Sequence, residues 1–108
     1  MGVDGYDGRR YSWRYMIRSF ACHETERLFN DEPARRLPTQ IQRVARRKLL
    51  LLHQAHRVDD LRVPPGNRLE ALKGDRSGQQ SVRINDQWRI CFRWQGTDAF
   101  DVEIVDYH

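Results

Sequence analysis

The sequence reaches Asp106-Tyr107-His108 directly after an alternating run, Phe100-Asp101-Val102-Glu103-Ile104-Val105. An acid, a phenol and an imidazole stand side by side. Histidine is the side chain that titrates nearest neutral pH, so this triplet can move protons under physiological conditions. Alternation of apolar and polar residues predicts a strand. The three groups are therefore expected at one end of a rigid element.

The elements that must hold that strand are legible from periodicity. Met16-Ile17-Arg18-Ser19-Phe20-Ala21 opens the ordered part, and Ile17, Phe20 and Cys22 suggest a first strand. A short helix is expected over His23 to Asp31, with Leu28 and Phe29 inward and Pro33 as its stop. A longer helix starts near Pro38-Thr39 and runs to about His56. Leu37, Ile41, Val44, Ala45, Leu49, Leu52 and Ala55 recur at three- and four-residue spacing, making one apolar stripe. Arg43, Arg46, Arg47 and Lys48 are read as lying mostly off it.

Pro64-Pro65-Gly66 breaks the chain. Everything beyond it is read as strand: Arg68–Lys73, Gln80–Asn85, Trp88–Trp94 and the final run, joined by glycine-containing turns. The expected fold is α+β, with an N-terminal strand and two helices packed on one face of an antiparallel sheet. Residues 1–15 are Gly-rich and aperiodic at first, then polar and aromatic without pattern. They are read as a flexible leader, non-native or upstream of the true start, before a single domain over 16–108.

Composition bounds the function. A chain of 108 residues is one domain with a small core. The apolar fraction of 39%, with three Trp, four Tyr and four Phe, argues for a folded chain. Nineteen basic against fifteen acidic side chains give +4, which permits a polyanionic partner without demanding one. Cys22 and Cys91 lack CxxC spacing and read as reduced thiols. No run is apolar enough to span a membrane, so a cytoplasmic protein is expected.

Period two then sorts the sheet. Val82 and Ile84 share a face with each other, as do Trp88, Ile90, Phe92 and Trp94. These apolar faces must meet the helices. Arg83, Arg89 and Arg93, with Ser81, Asn85 and Cys91, are then displayed on the face the helices leave open. Lys73 and Arg76 sit at its edge. Polar open faces are ordinary in antiparallel sheets, but arginine offers a planar fork suited to phosphate oxygens.

A cationic face bordered by an acid–base group suits phosphodiester cleavage. RNA carries its own nucleophile, the 2′-hydroxyl, so a base, an acid and cations suffice. His108 is a candidate acid or base. Tyr107 could stack on a base or exchange a proton, and Asp106 could orient His108. Arg83, Arg89 and Lys73 could hold the phosphate. His53 and His56, three apart, make a poor metal site without further ligands, and no metal or cofactor is expected.

Three strings carry a family resemblance: MIRSF at 16–20, GNRLEALKGDRSGQQSVRINDQWRICFRW at 66–94 and DVEIVDYH at 101–108. With them, residues 16–108 resemble HigB toxins of the RelE/ParE toxin–antitoxin superfamily. The resemblance implies a RelE-like fold and a metal-independent mRNA endonuclease that acts in the A site of the 70S ribosome and inhibits translation. It implies a HigA-like helix-turn-helix antitoxin, and binding to operator DNA through that antitoxin. By motif it assigns catalysis to Asp106, Tyr107 and His108, and RNA binding to Lys73 and Arg89; sheet geometry adds Arg83 and Arg76. Some members have a histidine where this chain has Glu70. Either Glu70 serves as the base, or His108 carries more of the load, or Glu70 pairs with a neighbouring arginine; the last two together are favoured. The alternative function is that of a ParE-like toxin, which inhibits DNA gyrase without catalysis.

Overall fold

The structure, a computed structural model, describes residues 16–107. The leader proposed over 1–15 and the candidate catalytic residue His108 lie outside the described residues. The chain runs β1 (Met16–Ile17), α1 (His23–Phe29), α2 (Thr39–Gln54), β2 (Glu70–Ala71), β3 (Gln80–Arg83), β4 (Trp88–Gln95) and β5 (Asp98–Asp106). Five strands form one sheet in the order β1-β5-β4-β3-β2. The four later strands are antiparallel, as expected, and β1 joins β5 in parallel.

The apolar stripe of α2 forms as predicted. Ile41, Ala45, Leu49 and Leu52 are buried against Val82, Ile90, Phe92, Ala99, Val102 and Ile104 of the sheet, together with Leu28 of α1. The helix stops at Gln54, two residues early. The Asp60 carboxylate accepts the backbone N–H groups of His56 and Arg57 at 3.0 and 3.1 Å, which starts a 3-10 turn over Val58–Arg62 instead of another α turn.

Lys48 departs from the expectation that it lies off the stripe. It is seven residues beyond Ile41 and three beyond Ala45, which places it on the buried face, and only 7% of it is exposed. Its ammonium donates to the backbone carbonyl of Arg83.

Not everything after Pro64 is strand. A 3-10 turn over Pro65–Asn67 leaves Arg68 in the left-handed region, φ +47°, so β2 cannot begin there. A second such turn over Gly74–Arg76 ends β2 after two residues. The segment 68–79 folds over the sheet face opposite the helices. That face is therefore partly covered rather than open: Ser81 and Cys91 are fully buried, and Leu72 is buried outside the main core cluster.

The β4–β5 pairing contains a bulge. Cys91 faces Glu103, but Arg93 faces Phe100, so Phe92 is opposed by two residues, Asp101 and Val102. Asp101 takes φ +55°, a conformation Asp tolerates better than most side chains. The extra residue shifts the phase: Ala99, Val102 and Ile104 enter the core, and Phe100 does not.

The outer edge of β5 is satisfied by the N-terminal segment. Arg18 N–H donates to Ala99 O at 2.8 Å and Ala21 N–H to Val102 O at 3.0 Å. Ser19 Oγ accepts the Asp101 N–H at 2.8 Å, and the fully buried Thr25 Oγ1 accepts the Ile104 N–H at 2.9 Å. Thus α1 is pinned to the half of β5 that leads to Asp106.

His53 plays a packing role. Its Nδ1 accepts the Ile17 N–H at 3.1 Å, and its ring stands edge-on to Phe29 at 5.1 Å between centroids. A nitrogen that accepts a hydrogen bond carries no proton, and burial holds this imidazole below the usual histidine pKa. As pH falls through about 6.5 the unfolded chain takes up a proton that the folded chain resists, so folding stability falls with it. The melting temperature should drop between pH 7.5 and 5.5, and His53→Gln, which keeps an acceptor for Ile17, should reduce that drop. An equal drop in both proteins would remove His53 as its source.

Candidate active site

The sheet and its covering segment enclose a cleft of about 320 Å³ lined by Arg68, Arg83, Asn85, Asp86, Arg89 and Tyr107. Each side chain arrives from a different local constraint. Arg83 and Arg89 face each other across the β3–β4 ladder. The turn between these strands is an Asx structure: Asn85 Oδ1 accepts the N–H groups of Gln87 and Trp88, both at 2.8 Å. Arg68 enters from the 3-10 turn, and Tyr107 from the end of β5.

Arg89 is the structural centre of this group. Its side chain is 11% exposed. Nε donates to Ser81 Oγ at 2.6 Å, and Nη2 donates to the Arg68 carbonyl at 2.7 Å. The same nitrogen lies 3.6 Å from Glu70 Oε1. One guanidinium thus fixes the backbone that presents a second. Arg83 is looser, with its guanidinium donating to the exposed carboxylate of Asp86.

The end of β5 is held against the β3–β4 turn. Tyr107 N–H donates to Gln87 O at 2.6 Å, and the Asp106 carboxylate accepts from Gln87 Nε2 at 3.0 Å. Asp106 also faces Trp88 across the β4–β5 ladder. Tyr107 is 39% exposed at the cleft wall. His108 follows it in sequence but lies outside the described residues.

Of the residues singled out from sequence, Arg83, Arg89 and Tyr107 share the cleft. Glu70 borders it through Arg89, and the carboxylate–guanidinium pairing weighed for it above is the contact the structure contains. Lys73 is exposed, on the turn beside β2. Arg76 lies deeper along the same face, spent on Glu103 at 3.3 Å and Gln79 at 3.0 Å. Arg93 is paired with Asp101 at 2.8 Å and lines no part of the cleft.

Two cations were missed. Arg68 was read as an ordinary strand residue, although Pro64-Pro65-Gly66 just before it signals a turn. Lys48 sits on an apolar stripe by spacing, and that mismatch was the available signal. No cluster of three or more His, Cys, Asp or Glu suited to a metal ion occurs among the described residues. A larger groove of about 460 Å³ lies between α1 and α2, but Leu28 and Leu50 line it beside Arg43, Arg46 and Arg47, with no His or Tyr.

Three arginines against one carboxylate, Asp86, give the cleft an excess of positive charge that could hold an anion, with Tyr107 at its wall. A model of RelE-like toxins of type II toxin–antitoxin systems, HigB, matches residues 18–108. The chain belongs to the HigB-like toxin family. It is 43% identical over 70 residues to Toxin HigB-1 of Vibrio cholerae, which covers 64% of this chain and 74% of that protein. It is 42% identical over 41 residues to Endoribonuclease HigB of Proteus vulgaris, 38% of this chain and 45% of that one. An uncharacterized protein of Haemophilus influenzae is 30% identical over 64 residues, 59% and 63% of the two chains. The family is one of toxins paired with an antitoxin, and its RelE-like fold is the α+β arrangement described above.

Arg89 and Arg83 should separate on substitution. Arg89→Met strands the Arg68 carbonyl and the buried Ser81 hydroxyl, and should cost about 1–3 kcal/mol of folding stability. Arg83→Gln removes an exposed ion pair and should stay within about 0.5 kcal/mol of the parent. Urea denaturation of the two variants measures these effects.

Proposed function

We propose that this chain is the toxin of a type II toxin–antitoxin pair and that it cleaves messenger RNA on the ribosome, so inhibiting translation. A HigA-like helix-turn-helix antitoxin neutralises it, and the pair binds operator DNA through that antitoxin. The protein acts in the cytoplasm, where its substrate is translated; among the described residues no helix is long and apolar enough to cross a membrane. The observation that carries the reading is the convergence of Arg68, Arg83 and Arg89 on one cleft whose wall is Tyr107. The relative named an endoribonuclease supports the same chemistry.

In this reading the RNA backbone lies across the guanidinium groups. The 2′-oxygen loses its proton to a base and attacks phosphorus. The bond to the 5′-oxygen breaks, that oxygen takes a proton from an acid, and a 2′,3′-cyclic phosphate remains. Arg83 and Arg68 neutralise the extra charge on the phosphoryl oxygens. His108 exchanges the proton, Tyr107 stacks on the adjacent base, and Asp106 keeps the end of β5 in place. Lys73 reaches a flanking phosphate, and Arg76 supports the covering segment through Glu103. Glu70 serves Arg89 rather than the substrate. None of these steps calls for a metal ion.

Expression of residues 16–108 in bacteria, with transcript 5′ ends mapped, tests the proposal. New ends within translated RNAs are expected. His108→Ala should abolish them, while Glu70→Gln should keep most of the cleavage. Growth arrest without new ends, and persisting in His108→Ala, would instead favour a non-catalytic inhibitor of the gyrase-binding kind.

A further inference from the structure

Lys48 breaks the rule that the core-facing stripe of a helix is apolar. Ile41, Ala45, Leu49 and Leu52 share its face, and each is at most 2% exposed. A local rule broken at a buried position is often the trace of a functional demand. The ammonium does not end in the core. It reaches past the sheet to the free edge of β3.

The ladder shows why a donor is wanted there. Ile84 N–H donates to Trp88 O at 2.8 Å, so Ile84 directs its hydrogen-bonding groups toward β4. Its neighbour Arg83 directs its own away from β4, toward β2. But β2 pairs only with Gln80 and Ser81. The Arg83 carbonyl is thus left on an edge without a strand, and Lys48 donates to it.

A neutral donor would have satisfied that carbonyl. Instead a cation stands among cations: Arg47 on its own helix, Arg83 on β3 and Arg89 on β4. Burial, and then these three charges, hold the Lys48 pKa below its usual value. The described carboxylates beside this group, Asp86 on Arg83 and Glu70 on Arg89, partner the arginines rather than Lys48. Such a cluster is unfavourable by itself and is relieved when an anion enters the cleft beside it.

We propose that Lys48 is a positioning residue of the cleft: it anchors the β3 edge that carries Arg83 and supplies positive charge behind the anion site, without touching the bound phosphate. The proposal rests on the reading that the cleft takes a nucleic-acid backbone, but not on cleavage. The mostly buried ammonium acts through the Arg83 main chain and through its field, which the low local dielectric screens less than water would.

The test is binding of a single-stranded RNA oligonucleotide by the full chain, titrated against salt and pH. Lys48→Met should bind roughly tenfold more weakly, with a log–log salt slope shallower by less than the unit that a direct phosphate contact contributes. Binding by the parent should weaken as pH rises toward the usual lysine range, because the ammonium loses its proton before an ordinary lysine does. Lys48→Arg should flatten that profile, since a guanidinium stays charged. A folded Lys48→Met with the parent's affinity and slope would overturn the proposal. If Lys48→Met does not fold, a Lys48→Arg profile that follows the parent's would do the same. Salt-dependent binding without new transcript ends in expressing cells would refute the nuclease reading and leave the role of Lys48 standing; absence of salt-dependent binding would overturn the role of Lys48, while the transcript ends decide the nuclease reading separately.

Discussion

The register between β4 and β5 is the constraint on which the rest depends. These strands run side by side at the middle of the sheet, and one extra residue in β5 lets two stretches of that strand obey different neighbours. Before the bulge, Ala99 fits under the helices beside β1. After it, Val102 and Ile104 fill the core opposite Ile90 and Phe92. Without the shift, either Ala99 or the Val102–Ile104 pair would face away from the helices. The same register sets Asp106 against Trp88 and so brings Tyr107 to the β3–β4 turn. Core packing and the cleft wall are therefore two ends of one alignment.

Much of this was legible where packing and periodicity agree. The α2 stripe, the apolar faces of β3 and β4, and the order of strands and helices follow from spacing alone, because one hydrophobic face has one place to go. The bulge was hidden because Phe100 is apolar and continues the apparent alternation. The brevity of β2 was hidden because its sequence alternates as a strand does, while two 3-10 turns at Pro65 and Gly74 claim its ends. Lys48 is the opposite case: its charge points to the solvent face of α2, but its spacing places it on the buried one.

The cleft shows why site residues are harder to find than core residues. Arg83, Arg89 and Tyr107 could be grouped because a ladder relates them. Arg68 could not, since its position follows from a turn and from the carbonyl it offers to Arg89. Arg76 and Arg93 looked equivalent to Arg83 in sequence, yet they are engaged by Glu103 and Asp101, whereas the carboxylate on Arg83 is that of Asp86, which stands almost fully in solvent at the cleft. Which arginines remain for a ligand is decided by where the acids fall, and strand phase does not reveal that.

Arg68 illustrates a conflict between backbone and side chain. Its left-handed conformation suits glycine or asparagine, and an arginine there carries a steric penalty that the fold must absorb. A sequence chosen for stability alone would place glycine at this turn. Its carbonyl holds Arg89, which any residue could do, but Arg68 also brings a positive charge to the cleft, which no small residue could. The position is thus a point where optimising the fold and keeping the site pull toward different amino acids, and a stabilised redesign of this protein would lose the site first at residue 68.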